Sequence, residues 1–253
     1  MRFCDAHNHI HSLNPAETAA ALARAREADV TAMLVCATMP QDWTAVAKSA
    51  ALYPEIIPFF GLHPWHAAGA AADWQQALER QLEEVPSGVG EIGLDRSKRA
   101  GDFGAQLAAF DFQLALAAKL DRPAAIHCVR AWGPLLELLG KRRPRRFLLH
   151  SYGGAAELIP PLAALGAYFS FNGDILDPKR KRLAKALAAA PRDRILFETE
   201  SPQPAAAARR DWRAGPEGVR QVVGGAARLL GVSETALAQT AWRNAVTFLE
   251  DMI

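Results

Sequence analysis

Cysteine is scarce. The 253-residue chain carries 3, at Cys4, Cys36 and Cys128, widely spaced and each inside an apolar run. An odd, scattered set argues against a disulfide framework and fits a reducing compartment. Long apolar runs are absent too. The longest clean ones, 31–37 and 56–62, have strand length and fall well short of the roughly 18 residues that a membrane span needs. The opening Met1-Arg2-Phe3-Cys4-Asp5 has no apolar core or cleavage site of a secretory leader. We therefore expect a cytoplasmic protein with no membrane association. Charge of one sign is not in excess: 29 basic residues face 27 acidic ones, for a net charge of +2. That excludes a sequence-wide polycation but leaves room for a local basic mouth. Linkers, repeats and low-complexity tracts are also missing, so one domain over 1–253 is expected.

Half of the residues are hydrophobic and 22% are charged, the balance of a globular chain. Apolar runs alternate with longer, alanine-rich amphipathic segments. Strands are predicted at 2–7, 31–37, 56–63, 89–94, 124–127, 146–150, 167–171 and 195–199. Helices are predicted at 15–28, 41–52, 73–84, 102–120, 133–141, 154–165 and 178–189, with a long helical tail over 217–251. Asp42 and Ser233 are candidate caps. The strands read as nearly continuous apolar runs, as they do when both faces are buried. Eight such βα units in a chain of this length predict a closed (β/α)8 TIM barrel. The rival is a doubly wound open sheet. It would usually place a glycine-rich turn after the first strand, and here histidines follow instead.

The 7 histidines all lie within the first 150 residues. Four predicted strands run straight into one: His7, His63, His127 and His150. In a barrel the carboxyl ends of all strands gather on one face, where active sites sit. Glu91 lies in the fourth strand, and Glu198 and Glu200 close the eighth. Imidazoles and carboxylates therefore converge on one rim. His7 and His9, two residues apart on an extended chain, point the same way and can grip one metal ion. Asp5 shares their face and is a candidate to orient a histidine. Nitrogen and oxygen donors without thiolates suit Zn²⁺, Mn²⁺ or Mg²⁺. Six candidate ligands exceed the three protein ligands of a single catalytic zinc, which points to two divalent ions bridged by a carboxylate. Glu91 is the candidate bridge. The 7 lysines all fall in predicted helices or loops, so none is placed for that role.

The stretches Asp5-Ala6-His7-Asn8-His9, Gly61-Leu62-His63-Pro64-Trp65, Gly90-Glu91-Ile92-Gly93-Leu94-Asp95, Ile126-His127, His150-Ser151-Tyr152-Gly153-Gly154 and Glu198-Thr199-Glu200-Ser201-Pro202 occur in that order. Together they resemble the TatD family of metal-dependent hydrolases. The tail Ala241-Trp242-Arg243-Asn244-Ala245-Val246-Thr247-Phe248 resembles the family's closing helix. The resemblance implies a TIM barrel, a two-metal centre and deoxyribonuclease activity. By motif position it places His7, His9, Glu91, His127, His150 and Glu200 at the metals. Three departures stand out. The family usually has Asp where this chain has Glu200, which bears on metal geometry. It often has Tyr at the position of Arg96, and Arg directly after the strand-5 histidine, where here Arg130 comes three residues later. These two bear on substrate choice.

The expected activity is hydrolysis of DNA phosphodiester bonds by metal-activated water, with Glu91 and Glu200 catalytic and the protein acting as a monomer. Expected substrate contacts are His63, Arg130, Arg209 and Arg210. For His63 a hydrogen bond to backbone is an equal reading, and His11 and His66 read as exposed loop residues. The basic cluster Lys141–Arg146 precedes the sixth strand and belongs to the bottom of the barrel. Lys179–Arg182, Arg209, Arg210 and Arg213 follow strands 7 and 8 and open on the catalytic face. Trp65, Trp132, Tyr152 and Trp212 follow strand ends and are candidates to stack on bases or to pack the rim. The alternatives are a hydrolase of a small amide, lactone or phosphoester, because a fold does not fix its substrate, and a weakly active metal-binding barrel.

Overall fold

The eight apolar runs become eight parallel strands in chain order: β1 (Phe3–Asn8), β2 (Val30–Cys36), β3 (Ile56–Phe60), β4 (Gly88–Asp95), β5 (Ala124–Val129), β6 (Phe147–Leu149), β7 (Ala167–Phe171) and β8 (Ile195–Phe197). The computed structural model describes residues 1–98, 101–202 and 215–252. Each strand pairs with the next, from β1–β2 through β7–β8. The sheet curls until the segment after β8 meets β1. There the Glu200 amide donates to the His7 carbonyl (3.1 Å), and the His9 amide to that of Ser201 (2.7 Å). The result is a TIM barrel.

Helices α1 (Pro15–Glu27), α2 (Pro40–Leu52), α3 (Trp74–Glu84), α4 (Phe103–Lys119), α5 (Trp132–Arg142), α6 (Ile159–Ala164) and α7 (Lys181–Ala189) alternate with the strands, and α8 (Val219–Leu230) and α9 (Glu234–Leu249) follow β8. Local chemistry sets their starts. Asn14 caps α1 in a reciprocal box with Glu17, ahead of Pro15 at the first helical position. Ser233 caps α9 by accepting from the Ala236 amide. Asp42 differs from expectation. It sits inside α2 and reaches back to the Thr38 amide and hydroxyl and the Met39 amide. The expected tail helix is two helices, because Gly231 takes a left-handed conformation (φ 64°) and ends α8.

Two apolar layers hold the barrel. The outer layer lies between strands and helices and includes Leu22, Val35, Leu78, Phe110, Leu135 and Phe169. The inner layer fills the barrel with Cys4, Ala32, Leu34, Phe59, Leu148 and Leu196, and is plugged by Ala245, Phe248 and Leu249 of α9. Burial holds the Cys4 and Cys36 thiols protonated, and they serve as small apolar fillers. With its bottom plugged, the barrel has its polar end at the carboxyl termini of the strands. Among the described residues no helix is long and apolar enough to cross a membrane.

Candidate metal centre

Glu91 is buried on β4, and five imidazoles face its carboxylate. His7 Nε2 (3.3 Å) and His9 Nε2 (3.5 Å) approach Oε2. His63 Nε2 (3.2 Å), His127 Nδ1 (3.2 Å) and His150 Nε2 (2.9 Å) approach Oε1. Burial alone would raise the pKa of this carboxyl. The imidazoles outweigh burial and hold it well below the usual range. The position of β4 depends on a glycine. Gly93 has φ 143°, and a Cβ there would lie 2.0 Å from the His127 carbonyl oxygen. Gly93→Ala should therefore push β4 off β5 and cost about 3 kcal/mol, read as a lower urea midpoint. An unchanged midpoint would contradict this packing.

The partners of each ring decide which nitrogen is left bare. A carbonyl only accepts, so the contact of His9 Nδ1 with the Cys36 carbonyl (2.8 Å) puts the proton on Nδ1 and leaves Nε2 as a lone pair. His127 stands between two carboxylates, with Nε2 toward Asp95 Oδ2 (3.2 Å) and Nδ1 toward Glu91 Oε1 (3.2 Å); burial opposes its protonation, but the two carboxylates outweigh it and raise its pKa. This is the carboxylate–histidine pairing that orients metal ligands. His7 is fully buried, and burial lowers its pKa to about 4, so it is neutral. His63 is the opposite case. Its Nδ1 accepts from the Trp65 amide (3.2 Å), so the proton is on Nε2, which donates toward Glu91. His150 lies between two carboxylates, Glu91 and Glu200 (Nδ1–Oε1 2.8 Å), which raise its pKa well above the usual value against the opposing effect of burial.

These donors fit divalent cations. Among the described residues, ligand atoms lie within 4.8 Å of one another in three groups: His7, His9 and Glu91; His7, His150 and Glu200; and His63, Glu91 and His127. Imidazole nitrogens 3.2 Å apart beside a carboxylate, as at His7 and His9, form a donor set that a cation satisfies. The structure thus brings all six expected ligands together, with His63 beside them.

Other expectations change. Asp5 orients no histidine. It accepts from the Thr199 amide (2.9 Å) and hydroxyl (2.6 Å) and from Asn8 (3.1 Å), and so ties β1 to the segment after β8. His11 is no exposed loop residue. Its side chain is largely buried and lies 3.8 Å from Asp42. Asp95 does more than the sequence indicates: it joins His127 to the Trp65 indole N–H (2.6 Å) and also accepts from the Ser97 amide. Its position at the end of a strand that carries a ligand was the available signal. Glu198 is buried behind His150 and accepts from the Ser170 hydroxyl. Burial raises its pKa to about 7, despite the opposing influence of His150.

A cavity of about 590 Å³ lies over these groups, walled in part by Thr38, Trp65, Cys128, Asn172 and Pro202. Arg130 is exposed just past β5 and does not line it. Arg209, Arg210, Trp212 and Arg213 lie outside the described residues. Arg96 packs over the Phe103 ring (4.2 Å). The cluster before β6 is engaged in ion pairs: Arg142 with Asp111, Arg145 with Asp121 and Glu250, and Arg146 with Glu250.

The model of the TatD related DNase family matches residues 4–250. A 3'-5' ssDNA/RNA exonuclease TatD of Erwinia tasmaniensis is 32% identical over 185 residues, 71% of each chain. The metal-dependent hydrolase YjjV of Escherichia coli is 31% identical over 208 residues, 79% of this chain and 80% of its own. The crystal structure of YjjV superposes with a TM-score of 0.89 at 26% identity, covering 98% of both chains. A TatD family hydrolase of Entamoeba histolytica shares the fold, with a TM-score of 0.82 at 16% identity. Matched from its first strand to its closing helix, the chain belongs to the TatD-related DNase family of hydrolases, which act on ester bonds.

Proposed function

We propose that the protein hydrolyses DNA phosphodiester bonds with two divalent ions, Zn²⁺, Mn²⁺ or Mg²⁺, and that single strands are its preferred substrate. The observation that carries this is the division of Glu91: one oxygen faces His7 and His9, the other faces His127 and His150. In this reading His7, His9, Glu91, His127, His150 and Glu200 hold the ions, with Glu91 as the bridge. Such ions supply acidification of a water molecule and neutralisation of phosphate charge.

The protein's own groups do the rest. Glu200 orients the water and takes its proton. Asp95 holds His127 in the ligand tautomer. His63 presents an N–H donor to an oxygen of the centre or of the phosphate. Arg130, which is exposed just past β5, together with Arg209 and Arg210, is assigned to the substrate backbone. The exonuclease names of the relatives support a single-stranded substrate over a small amide or lactone. The free cysteines fit a reducing compartment such as the cytoplasm.

The test is metal content with an activity panel. Protein purified without chelator should carry about two ions per chain. Chelation should abolish cleavage of single-stranded DNA, and added Mn²⁺, Zn²⁺ or Mg²⁺ should restore it. Undiminished cleavage by protein stripped of metal would overturn the reading.

A further inference from the structure

A second cavity of about 410 Å³ adjoins the metal centre, within the size range of small-molecule sites. The two share Ser151, Asn172 and Asp174 as a common wall. That wall is fixed. The Asn172 amide donates to the Ser151 hydroxyl (2.8 Å), and its carbonyl accepts from the Asp174 amide (2.9 Å). The floor is apolar, made by Tyr152, Phe171, Ile175 and Leu183. Tyr152 is locked by its hydroxyl, which donates to the Ala155 carbonyl (2.8 Å).

The outer lip is cationic, with Lys179, Arg180 and Arg182. These three differ. Arg180 is committed to Asp174 (2.5 Å) and lies 3.8 Å from Asp177, so the acid in the wall is neutralised. Lys179 and Arg182 are exposed and make no ion pair with another described residue. An apolar slot with two exposed cations at its lip, opening beside the metal centre, matches one unit of a nucleic-acid strand. The base and sugar meet the floor, and the phosphate meets the lip. A small phosphoester, with one phosphate at the metals, has nothing to place there.

We infer that this cavity is a subsite for the nucleotide next to the scissile phosphate, with Lys179 and Arg182 holding that nucleotide's own phosphate. The inference rests on the nuclease reading. It assigns the basic segment after β7 a specific role: it selects strands over isolated phosphoesters.

Two variants test it, one for charge and one for space: Lys179→Ala/Arg182→Ala, and Leu183→Trp, which fills the slot. Binding is read by fluorescence anisotropy of a short labelled single-stranded oligodeoxynucleotide in chelator, so that nothing is cut. Turnover is read with metal on the same oligonucleotide and on bis(p-nitrophenyl) phosphate. The double variant should bind more weakly, with a salt slope shallower by about 0.7, because the two cations hold one phosphate and each phosphate neutralised on a single strand contributes about 0.7. Leu183→Trp should weaken binding about tenfold with the slope unchanged. In both, the ratio of oligonucleotide to small-ester kcat/KM should fall by a similar factor. If the parent cuts DNA and the variants bind and cut it equally well, the subsite is wrong and the nuclease reading stands. If the parent cuts only the small ester yet oligonucleotide binding falls in the variants, the cavity holds a strand, but the nuclease reading fails and with it the assignment to a nucleotide beside a scissile phosphate. If the parent neither binds nor cuts DNA, both fail.

Discussion

Glu91→Gln removes DNA cleavage and at least one bound ion per chain, while the barrel stays folded. The loss should exceed the roughly hundredfold that follows from disturbing a group that merely orients a ligand. Glu91 is placed to act on two sets of donors at once, since its Oε2 serves His7 and His9 and its Oε1 serves His127 and His150. Glutamine keeps the volume and one acceptor, so packing is preserved. It loses the charge that compensates the cations and the second oxygen that makes a bridge. The fold does not rest on this side chain, because both apolar layers lie away from the rim. Circular dichroism and thermal melting of metal-stripped parent and variant should therefore agree closely. Ion content by mass spectrometry should fall from about two to one or fewer. A variant with full activity and full metal would end the two-ion account.

The parts of this centre that the sequence reveals are those with a short-range signature. Strands ending in histidine mark a rim because a buried imidazole is costly unless a partner or an ion satisfies it. The same logic finds Glu91, a carboxylate inside an apolar run. What the sequence hides depends on contacts across the barrel. Asp5 and Thr199 are 194 positions apart, yet their hydrogen bonds close the barrel. Whether His63 offers a lone pair to a metal or an N–H to Glu91 turns on one backbone amide, that of Trp65. The break of the tail at Gly231 was legible as a helix-ending glycine, but the alanine-rich pattern on both sides obscured it. The strand ends also moved. His63, His150, Glu198 and Glu200 lie just past the last paired residues, where the chain leaves the ladder to turn side chains inward.

Glu200 stands where the resemblance implies an aspartate, and its surroundings set the second large expectation. The Glu200 backbone is not free to move. Its amide is bonded to the His7 carbonyl, the next carbonyl accepts from His9, and Thr199 is held by Asp5. Within this clamp Glu200 takes a left-handed conformation (φ 59°), which a non-glycine residue keeps only where its surroundings over-determine it. From that fixed point the longer side chain brings Oε1 to 2.8 Å from His150 Nδ1. An aspartate on the same backbone would fall short by roughly 1.5 Å, one carbon–carbon bond. Misplacement of about 1 Å can cost a hundredfold in rate. Glu200→Asp should therefore lower kcat on single-stranded DNA by about ten- to a hundredfold. Glu200→Gln should lower it further, by about 10²–10⁴, with metal largely retained, because the amide keeps an acceptor but cannot take a proton. The two variants separate reach from basicity. A Glu200→Asp protein much more active than its parent would mean that the clamp is not adapted to glutamate. The site would then be a weakened copy of its family's, a metal-binding barrel with little turnover.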